Sequence, residues 1–185
     1  MYIDLNYICQ CNNRQVTDDR THRPALRART PLGRHRGCGA TASCRERTQV
    51  IYLLDTSGLV RILGNPGLQN AWYEAIDAEA IGSCYPQRTE FLYSARNDTE
   101  YEEIAEMFGD LYPDVSVPKN AGRWISAVQH NMARAGEHRS ASAVDLIIAA
   151  TAAHHGLAVL HDDADYGTVA RHAPDLTEQS VHDIS

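Results

Sequence analysis

Acidic side chains follow two short apolar runs in this sequence, at positions where their carboxylates could act in one site. Asp55 comes directly after the apolar run 50–54. A second apolar run, 157–160, is followed within five residues by three aspartates: Asp162, Asp163 and Asp165. In open parallel α/β sheets, ligands bind in the crevice at the carboxyl ends of the strands. The two positions therefore predict a crevice lined by acidic side chains.

Two further carboxylates lie in predicted helices. Asp145 falls in the first turn of an apolar helix at 141–155, and Glu90 falls early in a helix at 87–97 that Pro86 opens. Taken singly, each carboxylate could simply complement the positive end of its helix dipole. In one crevice, however, several carboxylates cannot all stay ionised unless a cation neutralises them.

A site built from carboxylates predicts a hard divalent cation and phosphate chemistry. Oxygen ligands suit Mg²⁺, with Mn²⁺ as a substitute, and Mg²⁺ keeps several waters and binds phosphates. Such a site serves phosphoester hydrolysis, in which one metal ion activates a water as nucleophile and a second can stabilise the leaving oxygen. The residues leave open whether one or two ions bind.

Apolar runs and helical periods predict the elements that would position these side chains. Short strands are predicted at 50–54, 80–84, 115–117 and 157–160, with a last edge strand from Val181. Helices are predicted from Leu59 to the Asn-Pro-Gly break at 65–67, and then at 68–80, 87–97, 99–109, 120–135 and 141–155. Helices that alternate with short, wholly apolar strands indicate a parallel sheet covered on both faces. The predicted fold class is therefore α/β.

Length and composition are typical of a soluble globular protein. The 185 residues suit one domain of ordinary size with a segment left over. A hydrophobic fraction of 43% and a charged fraction of 22% agree with this class. The longest apolar runs are far too short to span a bilayer, and the start of the chain lacks the pattern of a secretory signal. We therefore expect no membrane segment and a cytoplasmic location.

The first 49 residues differ from the rest in charge and texture. They hold nine Arg, no Lys and four acidic residues, a net charge of +5, whereas residues 50–185 have a net charge of −12. Four of the five cysteines also lie here: Cys9, Cys11, Cys38 and Cys44. A small zinc module or a basic arm for RNA is one interpretation, but the spacings Cys-x-Cys and Cys-x5-Cys miss the usual zinc knuckles. We favour a disordered extension, or a start assigned too far upstream with Val50 as the initiator, and place the compact domain at 50–185.

Four motifs together resemble those of PIN-domain proteins, especially the VapC toxins of bacterial toxin–antitoxin pairs. They are DTS at 55–57, TEFL at 89–92, SAVDLIIAA at 142–150 and LHDDADY at 160–166. Their order and spacing fit the family over about residues 50–170. The resemblance implies a three-layer α/β/α fold with a short parallel sheet. It also implies a magnesium-dependent endoribonuclease, the toxin of a type II pair, that acts on RNA, forms a homodimer and is inhibited by a cognate antitoxin.

The resemblance also assigns roles to individual residues. Asp55, Glu90, Asp145 and Asp163 would be the metal-binding and catalytic quartet, with Asp165 as an accessory carboxylate. Asp162 stands where family members often have a basic or polar residue, so it is left out. Ser57 would support the site by hydrogen bonding, although capping of the following helix explains it equally well.

Several other side chains carry groups that could act at this predicted site. Arg61, Arg88 and Arg96 are the best candidates for contact with RNA phosphates, although for each alone a solvated surface position is sufficient explanation. His161 adjoins the acidic loop and could touch substrate or metal, but the carboxylates already account for a hard-metal site. Cys84 is expected to be a small buried side chain.

Other classes of protein fit the sequence less well. A haloacid-dehalogenase-like phosphatase needs a second aspartate two residues after the first, where this chain has Ser57. A receiver domain needs a late lysine, but the chain's single lysine, Lys119, is poorly placed. A catalytically degenerate PIN-like module that binds RNA or protein is the remaining alternative. All four acidic positions are present, which argues against degeneration.

Overall fold

A parallel sheet of four strands forms the centre of residues 49–184, the part of the chain that the structure, a computed structural model, describes. The strands are β1 (Tyr52–Leu54), β2 (Ile81–Gly82), β3 (Ala158–His161) and β4 (Thr177–Ser180). Their order in the sheet is β2-β1-β3-β4, and every neighbouring pair is parallel. The expectations for residues 1–48, including the extension and its cysteines, lie outside the described residues.

Seven helices accompany the strands in this range. They are α1 (Thr56–Leu63), α2 (Pro66–Asp77), α3 (Tyr85–Leu92), α4 (Asp98–Leu111), α5 (Ala121–Arg134), α6 (Ala143–His155) and α7 (Asp165–His172). The alternation of helices with short parallel strands confirms the predicted α/β class. Among these helices, none combines the length and apolar character that crossing a membrane requires.

The register of β1 and β3 brings their carboxyl ends to the same level. Leu54 pairs with Leu160, and the Asp55 N–H donates to the Leu160 carbonyl at 3.0 Å. The residues that follow the two strands therefore leave the sheet side by side. This register is what sets Asp55 beside the acidic loop that follows β3.

Each face of the sheet is covered by helices. On one face, the fully buried Leu53 and Val159 join a core with residues of α5, α6 and α7. Side chains alternate between the faces of a strand, so Tyr52 points the opposite way, and its ring meets the Trp72 ring of α2 edge-on at 5.4 Å. The arrangement is the predicted three-layer α/β/α sandwich.

The predicted strand at 115–117 is wrong, because pairing at this edge stops after one residue. Ser83 and Asp114 form an isolated parallel bridge. The Ser83 N–H donates to the Pro113 carbonyl at 2.9 Å, and the Val115 N–H donates to the Ser83 carbonyl at 2.8 Å. Prolines at 113 and 118 bracket the segment, and proline has no N–H to extend a ladder.

Several predicted boundaries also differ from the structure. The last strand ends immediately before Val181, where we predicted that it would begin, and Val181 is fully buried. Helix α1 begins at Thr56 rather than Leu59, and α3 ends at Leu92 rather than at 97. Helix α7 was not predicted, since its sequence DYGTVARH offers too few apolar positions for a clear period.

The close packing of α1 against β3 leads to a stability prediction. An ideal Cβ on Gly58 would lie 2.6 Å from the Leu160 carbonyl oxygen and 3.2 Å from the His161 Cα. Because these are backbone atoms, Gly58→Ala should push α1 away from the sheet and lower the free energy of unfolding by about 1–3 kcal/mol. Urea denaturation of the full chain measures this change.

A second glycine provides the matched control. Gly109 lies within α4, and a Cβ there would meet no atom within 4 Å. Gly109→Ala should therefore raise the free energy of unfolding, by up to about 1 kcal/mol, since alanine favours the helix. Equal effects of the two substitutions would contradict the proposed close approach of α1 to β3.

Candidate active site

Asp55 is a buried carboxylate at the junction of β1 and α1. It is the N-cap of α1, and its Oδ2 accepts hydrogen bonds from Ser57 N at 2.9 Å and Ser57 Oγ at 2.5 Å. Its side chain is almost completely withdrawn from solvent, with 3% of the residue exposed. A buried carboxylate needs donors of this kind to replace its lost hydration. The residue that caps α1 is therefore Asp55 and not Ser57. Ser57 instead donates hydrogen bonds to the Asp55 carboxylate.

Tyr166 supplies the third donor to Asp55. Its hydroxyl lies 2.9 Å from Asp55 Oδ1, and its side chain is buried within the core beside α6 and α7. Burial raises the pKa of this hydroxyl well above its ordinary value, and the Asp55 charge raises it further. Tyr166 therefore stays protonated and donates to Asp55. The sequence showed an aromatic residue at the end of the acidic motif but gave no sign of this contact.

Glu90 lies next to the Asp55 turn. Its Oε2 accepts a hydrogen bond from Thr56 Oγ1 at 2.6 Å, and Thr56 directly follows Asp55. Helix α3 begins at Tyr85, so Glu90 is outside its first turn. The dipole of α3 therefore does not explain Glu90, because that effect is confined to the terminal turn.

Asp145 has both a local structural role and a position near the cluster. It lies in the first turn of α6, where its Oδ2 accepts from Ser142 N at 2.6 Å while its own N–H donates to Ser142 Oγ at 3.2 Å. These reciprocal bonds form a capping box. Asp145 therefore does stabilise the N-terminal end of its helix, as one interpretation of the sequence predicts. The bond from Ser142 N also fixes the direction of the Asp145 carboxylate.

The loop after β3 carries Asp163 and Asp165. Asp163 Oδ1 accepts from the Asp165 N–H at 2.9 Å, which folds the loop into a tight turn before α7. Both residues are half-buried. Burial raises the pKa of the Asp165 carboxyl, and the charges of Asp163 and Asp145 raise it further.

Electrostatic effects connect carboxylates from separate segments. Asp145 acts on Asp165, and both Asp55 and Asp145 act on the Tyr166 hydroxyl. Direct contacts connect Asp55 with Tyr166 at the start of α7, and the Asp162 N–H of the acidic loop donates to Ser57 beside it. The gathering of all the predicted acids at one site remains a prediction.

The donor set of this cluster fits a hydrated hard cation. Within residues 49–184, no three acidic, histidine or cysteine side chains already converge as ligands of one ion. Mg²⁺ does not need such a closed cage, because it keeps several waters and takes few protein ligands. The pKa of Asp165 is raised mainly by burial and further by the negative charges of Asp163 and Asp145, and a bound cation would offset both effects.

Asp162, the first aspartate of the loop, contacts two basic side chains. Its Oδ2 lies 2.5 Å from Arg61 Nε, and its Oδ1 lies 3.1 Å from His182 Nε2. The hydrogen bond from Arg61 lowers the pKa of the Asp162 carboxyl. Its backbone N–H also donates to Ser57 Oγ at 3.0 Å. These contacts agree with leaving Asp162 out of the metal-binding set.

The three arginines considered for RNA contact differ in their surroundings. Arg61 is half exposed and paired with Asp162. Arg96 is largely exposed and bonds both carboxylate oxygens of Glu100, at 2.9 and 3.1 Å. Arg88 is mostly buried, and it donates to Ser83 Oγ at 2.7 Å and the Tyr112 carbonyl at 2.9 Å. Arg88 therefore serves to hold α3 in place and is not a solvated surface arginine.

His161 and Cys84 are both buried, with different surroundings. Cys84 is fully buried, as predicted, and burial raises the pKa of its thiol. His161 is 5% exposed, and its Nε2 lies 2.7 Å from Glu178 Oε2. No sequence pattern predicts this pair, because residues 17 positions apart meet only through the pairing of β3 with β4.

An open groove of about 540 Å³ adjoins Glu90. It is lined mainly by apolar and aromatic groups: Tyr85, Pro86, Thr89, Glu90, Tyr93 and Val144. Tyr85 and Tyr93 are 69% and 93% exposed. The groove thus places two aromatic side chains beside the acidic cluster.

Comparison with known proteins agrees with this geometry. The family model of the PIN domain matches residues 52–172. The chain is 56% identical over 102 residues to Ribonuclease VapC6 of Mycobacterium tuberculosis, covering 55% of this chain and 80% of that protein. It is 33% identical over 136 residues to Ribonuclease VapC18 of the same species, covering 71% of this chain and 96% of that protein.

Solved structures share the fold at lower sequence identity. The crystal structure of VapBC2 from Rickettsia felis, bound to a DNA fragment from its promoter, matches with a TM-score of 0.59 and 13% identity, covering 71% of this chain and 98% of that one. DNA-bound VapBC from Salmonella typhimurium matches with a TM-score of 0.58 and 16% identity, covering 72% and 99%. With the family-model match and the identities above, the chain belongs to the PIN domain family and, within it, to the VapC group.

Proposed function

We propose that this protein is a metal-dependent endoribonuclease and the toxin of a type II toxin–antitoxin pair. The observation that carries the proposal is the buried Asp55 carboxylate at the carboxyl end of β1, held by Ser57 and Tyr166 beside the acidic loop that follows β3. Relatives up to 56% identical are named ribonucleases. Membership of the VapC group supports the same reaction for this chain.

In this proposal, Asp55, Glu90, Asp145 and Asp163 hold Mg²⁺, for which Mn²⁺ can substitute, and Asp165 is accessory. When bound, the ion supplies positive charge that makes water a better nucleophile and offsets charge on the phosphate. Ser57 and Tyr166 hold the Asp55 carboxylate in one orientation, and Thr56 does the same for Glu90. Fixed ligands lower the cost of assembling the site when metal and RNA arrive.

The proposed substrate is RNA whose bases are accessible. The net charge of −12 over residues 50–185 gives little attraction for phosphate backbones in general. The groove beside Glu90 instead offers Tyr85 and Tyr93, and unpaired bases stack on aromatic rings.

Arg61 and Arg96 are more than half exposed and remain proposed phosphate contacts. Arg88 is dropped from that group because its donors are occupied inside the fold.

Cleavage of total cellular RNA tests the nuclease. The wild-type chain should give discrete fragments with Mg²⁺ and none with EDTA, because the acids alone lack the required positive charge. Asp55→Asn and Asp145→Asn should each lower the cleavage rate at least about 100-fold, since each removes a charged ligand while keeping the side-chain shape. Gel analysis of the fragments measures both effects.

A charge-matched control separates the site from bulk electrostatics. Glu102 is exposed on α4, so Glu102→Gln removes one negative charge outside the cluster. This variant should cleave like the wild type. A folded wild-type protein that neither binds Mg²⁺ nor cleaves RNA would point instead to a degenerate binding module.

Loss of the Tyr166 hydroxyl should affect both stability and metal binding. Tyr166→Phe removes the donor to Asp55 Oδ1 and leaves a buried carboxylate oxygen without its partner. We expect the free energy of unfolding in EDTA to fall by about 1–3 kcal/mol. Excess Mg²⁺ should recover part of the loss, since the cation gives Asp55 a new partner. Thermal unfolding with and without Mg²⁺ measures this, and an unchanged midpoint in EDTA would contradict it.

The cognate antitoxin is the second proposed partner. Two of the solved structures that share this fold are DNA-bound VapBC complexes. The acidic crevice of this chain favours an inhibitor that inserts basic side chains into it. The basic side chains of such an inhibitor would neutralise the negative charge that the metal ion otherwise offsets.

Neutralising the crevice tests this mode of inhibition. Asp145→Asn and Glu90→Gln should each raise the Kd for the cognate antitoxin by about tenfold or more, because a close charge pair is lost. Isothermal titration calorimetry measures the Kd, and Glu102→Gln again serves as the control. Unchanged affinity in both crevice variants would show that the inhibitor binds elsewhere.

Two further features belong to the proposal. The chain forms a homodimer, which light scattering of the purified protein would test directly. It acts in the cytoplasm, the compartment of its proposed substrate. The compact nuclease domain occupies residues 50–185, and residues 1–49 are an extension or a start assigned too far upstream.

A further inference from the structure

His161 connects an edge strand of the sheet to the backbone of the acidic loop. It is the last residue of β3 and is 5% exposed. On one side, its Nε2 lies 2.7 Å from Glu178 Oε2 on β4. On the other, its Nδ1 lies 3.0 Å from the Asp163 backbone N–H. The two ring nitrogens therefore bridge Glu178 and Asp163.

These two contacts determine which tautomer of the ring is present. A backbone N–H can only donate, so His161 Nδ1 must accept and cannot carry a proton. The single proton of the neutral ring then sits on Nε2 and is donated to the Glu178 carboxylate. Glu178 thus selects the one tautomer that leaves Nδ1 free to accept from Asp163.

The ring also adjoins the support of Asp55. The centroids of the His161 and Tyr166 rings are 4.9 Å apart, and the Tyr166 hydroxyl donates to Asp55 Oδ1. His161 therefore touches both elements that direct the carboxylates at the end of the sheet. It reaches Asp163 through a backbone hydrogen bond and packs against the tyrosine that orients Asp55.

We propose that His161 is a positioning residue for the acidic loop, held in its accepting tautomer by Glu178, and that it directs the Asp163 carboxylate toward the metal site. The inference rests on the proposed function, because Asp163 is a metal ligand only in that proposal. His161 itself contacts neither metal nor substrate. Its effect passes through the orientation of the Asp163 peptide, from which the side chain leaves at a fixed angle.

Two substitutions at His161 separate the acceptor from the rest of the ring. In His161→Asn, the amide oxygen can occupy the place of Nδ1 and accept from the Asp163 N–H. In His161→Gln, the longer amide reaches the place of Nε2 and keeps the contact with Glu178, but the acceptor for Asp163 is lost. Both variants remove the aromatic ring, so packing losses affect both.

The partner residue gives a second matched pair. Glu178→Gln keeps an oxygen that accepts from Nε2–H, whereas Glu178→Leu removes it. Without that acceptor, the ring is free to move its proton to Nδ1, where it would oppose the Asp163 N–H. Glu178 is one-third exposed, so neither substitution leaves a fully buried hole.

Mn²⁺ binding to the full chain, followed by the electron paramagnetic resonance of the free ion, is the primary measurement. We expect His161→Gln and Glu178→Leu to raise the Kd for Mn²⁺ by about tenfold or more, the usual effect of losing a group that orients a ligand. His161→Asn and Glu178→Gln should stay close to the wild type. RNA cleavage with Mg²⁺ should follow the same order.

Either of two results would overturn the inference. One is equal loss in His161→Asn and His161→Gln, which would assign the effect to packing. The other is wild-type Mn²⁺ affinity in a folded His161→Gln protein. Circular dichroism of each variant establishes that it is folded.

A nuclear magnetic resonance measurement decides the inference independently of catalysis. In the ¹⁵N-labelled wild type, we expect the shifts of the His161 ring to show a proton on Nε2 and none on Nδ1. A proton on Nδ1 would overturn the proposal even if RNA is cleaved. If the shifts agree but the wild type neither binds Mn²⁺ nor cleaves RNA, the proposed function fails and so does the part of the inference that concerns metal.

Discussion

The burial of the Asp55 carboxylate is the constraint on which the rest of the site depends. A buried charge without partners costs several kcal/mol, so the fold must bring donors to it. Ser57 provides two of them locally, because Asp55 caps the helix that contains Ser57. The third, Tyr166, comes from α7, more than one hundred residues along the chain. Satisfying Asp55 therefore requires β3, the acidic loop and α7 to fold back against β1.

Hydrogen bonds of the same kind hold the other acidic side chains. Each carboxylate has a donor of its own: Tyr166 and Ser57 for Asp55, Thr56 for Glu90, and the N–H groups of Ser142 and Asp165 for Asp145 and Asp163. The pKa of the Asp165 carboxyl is raised mainly by burial, and the charges of Asp163 and Asp145 raise it further. In the proposed function, the groups that stabilise these carboxylates in the fold would also orient them toward a metal ion.

The sequence was sufficient to predict what depends on local pattern. The strand before Asp55, the apolar helix with Asp145 and the acidic loop after β3 each follow from short runs of residues, and parallel-sheet geometry explains why Asp55 lies beside that loop. The prediction of a strand at 115–117 is wrong because the strand propensity of these residues does not show that the neighbouring prolines end the hydrogen-bond ladder. Helix α7 was missed because contacts of Tyr166 and Val169 with the core stabilise it more than its own sequence does. The links Tyr166–Asp55, Glu178–His161 and Arg61–Asp162 join distant residues, and no single-sequence pattern encodes them.

The pairing of Asp162 explains how a loop with three aspartates can serve a site that needs two. Arg61 and His182 both contact the Asp162 carboxylate, and the hydrogen bond from Arg61 holds its pKa below the usual range. Arg61 could bind an RNA phosphate only by giving up its contact with Asp162. The Asp162 carboxylate would then keep only its weaker contacts. In a domain of net charge −12, the pairing of one exposed arginine with an aspartate weakens its attraction for phosphate. Recognition must then depend less on the backbone charge of RNA and more on its bases and shape, which is the property expected of a nuclease with a restricted set of targets.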